Sequence, residues 1–165
     1  MPRMHALELV PDEAGCDVVR RDWQALRDAG LPSQLDHRGT TNTPHLTAAA
    51  AAALGPTDEQ RAVELVGPLL PMEVRTSGIA LLGGARVSLV RLVEVPDDLV
   101  RAVLDLRRQV VAVQHSGWLP HVTMARRIAR ADVAAALDAI GHDESVFTVT
   151  SLRRWDPVAE IVREL

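Results

Sequence analysis

The chain contains no lysine, and all eighteen of its basic residues are arginine. That absence excludes a P-loop, a Schiff-base lysine and a lysine general base. Cysteine occurs once, at Cys16, which rules out an intrachain disulfide and a cysteine-rich structural zinc site. Tyrosine is missing, phenylalanine occurs once and tryptophan three times, so aromatics make up only 2% of the chain. Core volume must therefore come from Val, Leu, Ala and Ile. No apolar run approaches a membrane span, and the one in "MPRMHALELV" is too short for a secretory signal. The expectation is a soluble cytoplasmic protein with no membrane partner.

What is present is ordinary globular material. The 165 residues are 47% apolar and 24% charged, enough for one buried core or for two small lobes sharing a cleft. A net charge of −4 disfavours an extended DNA-binding surface that works by electrostatics. A nucleotide or an RNA 3′ end is a better match in size, and a monomer is expected.

Patterning along the chain suggests a duplication. "HALELVPDEAGCDVVRRDWQAL" reads as a strand from about Met4, then Pro-Asp, then a helix with Val19, Trp23 and Leu26 on one face. "VSLVRLVEVPDDLVRAVLDLRRQVVAV" has the same order. "HRGTTNTPHLTAAAAAA" is matched by "HSGWLPHVTMARRI", and the helical "PTDEQRAVELVG", starting at Thr57, by "ARADVAAALDAI". "MEVRTSGIALLG" is matched by "ESVFTVTSLRRW", and "VAEIVREL" forms a closing strand. The approximate repeats span 4–83 and 85–156 of a single domain, 1–165. The fold expected is α+β, bilobal and internally duplicated. It has two antiparallel β-sheets with flanking helices and a central cleft related by a pseudo-twofold axis. One local signal opposes this, because the six alanines Ala48 to Ala53 have the highest helix propensity available. The parallel with "HVTMARRI" assigns them to a strand instead.

Each repeat carries one short word, "TPHLT" at Thr43 to Thr47 and "LPHVT" at Leu119 to Thr123. Roughly half of one His-x-Ser/Thr match is expected by chance in such a composition, so a single copy would be a weak motif. Two copies share the preceding Pro, the aliphatic centre and the Thr, and they fall at matching points of the repeat. On a strand, His45 and Thr47 project to one side while Leu46 points to the core, and likewise His121 and Thr123 around Val122. Two imidazoles facing each other across a cleft suit phosphodiester cleavage. One takes a proton from the attacking water or hydroxyl, and the other protonates the departing oxygen. The threonine hydroxyls donate to non-bridging oxygens. No cofactor is called for.

At these residues the sequence resembles the 2H phosphoesterase superfamily, in its 2′-5′ RNA ligase (LigT-like) and cyclic phosphodiesterase branch. The resemblance covers nearly the whole chain. It implies that His45 and His121 are catalytic and that Thr47 and Thr123 bind phosphate, with no metal. It also implies a hydrolase of 2′,3′-cyclic phosphates or 2′-5′ linkages of a nucleotide or RNA end, with a role in RNA processing. By analogy His121 is the base toward water and His45 the acid. The first motif departs from the family pattern, being followed by alanines as far as Leu54-Gly55, whereas "HVTMARR" is the closer match. Further substrate contacts are expected from Arg126 or Arg127, from Trp118 beside the second motif, and from His115 and His37 ahead of the two motifs. Alternation favours Arg127, and the family's recurring arginine falls at Arg126. Trp155 is a second aromatic candidate for the base. A four-histidine metal site (His37, His45, His115, His121) lacks an Asp, Glu or Cys framework. The competing readings are a catalytically weak or inactive nucleotide-binding module of this fold, and a phosphoesterase for a non-RNA cyclic phosphate.

Overall fold

Residues 3–165 are described by the computed structural model. Strand β1 (His5–Pro11) is buried along most of its length, and helix α1 (Glu13–Asp28) follows at once. Asp12 caps that helix, its carboxylate accepting from the Gly15 N–H at 2.8 Å. The spacing of Val19, Trp23 and Leu26 turns these buried side chains to one face. Strand β2 (Leu46–Ala51), helix α2 (Pro56–Leu65) and strand β3 (Met72–Gly83) complete the first half. Gly83, at φ 110°, leads through a two-residue turn into strand β4 (Arg86–Glu94). Helix α3 (Asp97–Gln109), strand β5 (His121–Ala129), helix α4 (Val133–Ile140) and strand β6 (Val146–Asp156) follow. Strand β7 (Ile161–Glu164) closes the chain and is shorter than the expected "VAEIVREL". The order strand-helix-strand-helix-strand thus occurs twice.

Ala48 to Ala51 of the alanine run are strand, as the parallel required, and Ala52 and Ala53 lie beyond its end. Ala48, Ala49 and Ala51 have no exposed surface, and β2 pairs with β1 from Leu46 to Ala51. Ladder bonds and close packing on both faces outweigh helix propensity there.

All strand pairs are antiparallel, but the expectation of two separate sheets is corrected. Hydrogen bonding joins seven strands in the order β1-β2-β5-β4-β3-β6-β7, and β1 also pairs with β6. The join between β2 and β5 is a single residue pair, Leu46 opposite Val122. Long strand β6 makes the return connection, with Val146–Val149 against β3 and Val149–Trp155 against β1. The architecture is α+β, one antiparallel sheet with four helices. No described helix is long and apolar enough to cross a membrane.

Candidate active site

The single β2–β5 join lies between the two histidine words. Leu46 and Val122, which form it, are buried and each directly follows a histidine. Because the strands run antiparallel, Thr123 lies on the His45 side of that pair and Thr47 on the His121 side. His45 itself sits just ahead of β2, after the buried Pro44.

Both rings are oriented in the same way. Nδ1 of His45 lies 2.7 Å from the Thr43 carbonyl, and Nδ1 of His121 lies 2.6 Å from the Leu119 carbonyl. A carbonyl only accepts, so each Nδ1 carries hydrogen and donates, which leaves Nε2 as the nitrogen available for chemistry. Burial pushes the His121 imidazole below the usual histidine range. The Leu119 carbonyl acts the other way, and the charges of His45 and Arg126 lower it further. Strand alternation from His121 does not extend regularly to Arg127. The ladder slips near Leu89 and Val90, and Arg127 takes φ 61°, so alternation fails just where it was applied. Both arginines are exposed.

The backbones of the two motif threonines are held by tryptophans from far away in the chain. Trp118 donates its indole N–H to the Thr47 carbonyl at 2.9 Å, and Trp23 donates to the Thr123 carbonyl at 2.9 Å. Trp118 is therefore anchored at the first motif, although it precedes the second. Buried Arg107 binds the same region, donating to the Ala48 and His115 carbonyls, each at 2.6 Å. His37 and His115 are exposed, and neither ring makes a hydrogen bond among the described residues. Trp155 pairs with Ala6, toward the opposite end of β1 from the Leu9–Leu46 pair beside His45. No three His, Cys, Asp or Glu side chains among the described residues are grouped to hold a metal.

A residue that the sequence reading missed, Glu8, adjoins His45, and a second, Arg153, holds Glu8. Glu8 is 4% exposed, and its Oε1 lies 3.4 Å from Nε2 of His45. Its Oε2 accepts from Nε of Arg153 at 2.7 Å, and Arg153 is itself buried. A carboxylate inside the apolar word "HALELVP" and an arginine pair inside "FTVTSLRRW" were the available signals.

The family model of the 2'-5' RNA ligase superfamily matches residues 15–159. No curated protein sequence matches the chain significantly. Among solved structures, Escherichia coli LigT complexed with 3'-AMP is similar in fold, with a TM-score of 0.55 at 15% identity, covering 99% of this chain and 94% of that one. Kluyveromyces marxianus Usb1 with uridine monophosphate has a TM-score of 0.54 at 12% identity, covering 99% and 98%. The family match spans most of the chain and the fold agrees along its length: the protein belongs to the 2′-5′ RNA ligase superfamily of 2H phosphoesterases.

Proposed function

We propose that this protein is a metal-independent phosphodiesterase that opens a 2′,3′-cyclic phosphate or cleaves a 2′-5′ phosphodiester at a nucleotide or RNA end. The observation that carries this reading is the matched pair of imidazoles. Each ring is fixed through Nδ1 to the carbonyl two residues before it, and the two stand on either side of one strand join. His121, favoured in its neutral form by burial, accepts a proton from water at Nε2. His45 protonates the departing ribose oxygen. Thr47, Thr123 and Arg126 bind the non-bridging oxygens, where negative charge is concentrated. The two halves are read as pseudo-symmetric lobes, each giving one imidazole and one hydroxyl, within a monomer. A nucleotide substrate is further supported by the 3'-AMP and uridine monophosphate bound to LigT and Usb1.

The test is hydrolysis of 2′,3′-cyclic nucleotides in EDTA. His45→Ala and His121→Ala are each expected to lower kcat by about 10²–10⁴-fold, the usual contribution of a positioned acid or base. Activity that survives both substitutions sinks the mechanism. The small side chains after the first motif favour a second reading, a nucleotide-binding module. Calorimetric binding with no turnover across cyclic and 2′-5′ substrates would select it.

A further inference from the structure

A buried carboxylate in a core strand calls for an explanation. Glu8 lies between Leu7 and Leu9, both without exposed surface. An ionised carboxylate there is costly unless paired, and a buried ion pair adds little stability over apolar side chains of the same volume. Fold stability is therefore a poor reason for Glu8 and Arg153 to occur here. Their placement is a better one. The β1–β2 register slips between Leu7 and Glu8, so that Glu8 stands opposite Thr47 rather than Ala48. On its other side Glu8 stands opposite Arg153. Arg153 holds Oε2 and also reaches the Thr41 carbonyl at 3.5 Å, which leaves Oε1 toward Nε2 of His45.

The two half-sites are consequently unequal. Nδ1 of His45 faces a carbonyl and its Nε2 faces a carboxylate at ion-pair distance, so both nitrogens of this ring have oxygen neighbours that favour hydrogen. His121 has only the carbonyl at Nδ1, and the charge that acts on it beside His45 is the cation Arg126. The groups around the pair are Glu8 on β1, Arg153 on β6, and His121 and Arg126 on β5.

We propose that Glu8, steadied by Arg153, is a positioning residue that keeps a proton on Nε2 of His45 and thereby makes His45 the general acid of the pair. This rests on the phosphodiesterase reading. In the step it describes, a P–O bond forms to water and the P–O bond to the ribose oxygen breaks. The water proton passes to Nε2 of His121, and the Nε2 proton of His45 passes to the ribose oxygen. The His45 ring, neutral after transfer, keeps its Nδ1–H on Thr43 and regains a proton from solvent beside Glu8.

Two measurements on the full chain test the proposal. ¹⁵N NMR is expected to find that the Nε2 proton of His45 is held more firmly in the wild type than in Glu8→Gln. Kinetically, Glu8→Gln is expected to lose about 10–100-fold in kcat on a 2′,3′-cyclic nucleotide, whose leaving oxygen needs a proton. It is expected to lose less than about threefold on a nitrophenyl phosphodiester, whose leaving group does not. Should Glu8→Gln leave Arg153 unpaired and fail to fold, the double variant Glu8→Leu with Arg153→Met removes both charges, and the same selectivity is expected. Equal losses on the two substrates, no loss, or a His45 Nε2 signal unchanged by Glu8→Gln would overturn the proposal. If the wild type cleaves neither substrate, the phosphodiesterase reading fails, while the NMR comparison still decides whether Glu8 holds the proton.

Discussion

Neutral imidazole is the form a general base must take, and three features of the His121 surroundings favour it. Burial contributes most, and the charges of His45 and Arg126 add to it, against the opposing pull of the Leu119 carbonyl. The ascending limb of kcat/KM against pH, which reports the base in the free enzyme, should lie below the ordinary histidine value of about 6.5. Arg126→Gln removes one of the lowering charges and should move that limb to higher pH. An unmoved limb would mean that Arg126 does not act on the base. The same shift has a consequence for folding. A histidine whose folded-state pKa is depressed takes up its proton more readily in the unfolded chain. Stability tied to His121 is therefore full above about 6.5 and declines as pH falls from there toward the lowered folded-state value.

At the level of elements, α1 packs closely against the sheet at Gly15. A Cβ on Gly15 would lie 2.9 Å from the Cβ atoms of both Phe147 and Pro11, and 3.0 Å from Oδ1 of Asp12. Cβ atoms cannot rotate away, so relief requires the helix or a strand to shift. Alanine should gain about 1 kcal/mol of helix propensity, but overpacking of this kind costs about 1–3 kcal/mol and disturbs the Asp12 cap as well. Gly15→Ala is expected to lower the urea midpoint, and a raised midpoint would show that α1 can slide. Most elements of this kind were legible in the chain. Alternation and Pro-Asp starts marked β1, α1, β4 and α3, and the echo between the halves identified the Ala48–Ala51 segment as strand against its own propensity. Three things were hidden for physical reasons. The ladder slips near Leu89 and the positive φ at Arg127 depend on pairing with another strand, so alternation along the sequence does not fix which face either arginine takes. Glu8 and Arg153 are 145 residues apart, and only the β1–β6 register brings them together. The indole bonds to Thr47 and Thr123 cross between the halves in the same way.

Those crossings govern how the whole molecule should unfold. The two halves of the chain could in principle melt separately, since 165 residues exceed the size at which all-or-none behaviour is usual. Against this, β3 pairs with β4 across the halves from Arg75 to Gly83, and β6 in the second half pairs with β1 from Ala6 to Pro11 and with β3 from Met72 to Arg75. Trp23 in the first half holds Thr123 in the second, and Trp118 in the second holds Thr47 in the first. Neither half can lose its packing without exposing buried surface of the other. The three tryptophans sample different places: Trp23 on α1, Trp118 ahead of β5, and Trp155 on β6. Urea unfolding followed by tryptophan fluorescence and by far-UV circular dichroism should therefore give one shared midpoint. Trp118→Phe keeps one aromatic ring but loses the pyrrole ring with its N–H bond to Thr47, and should lower that midpoint for both probes together. Its expected cost is about 0.5–1.5 kcal/mol, that of one neutral hydrogen bond. If fluorescence moved before dichroism, the halves would be separable lobes. The indole bonds and the β6 ladders would then fail to couple the unfolding of the half that carries His45 to that of the half that carries His121.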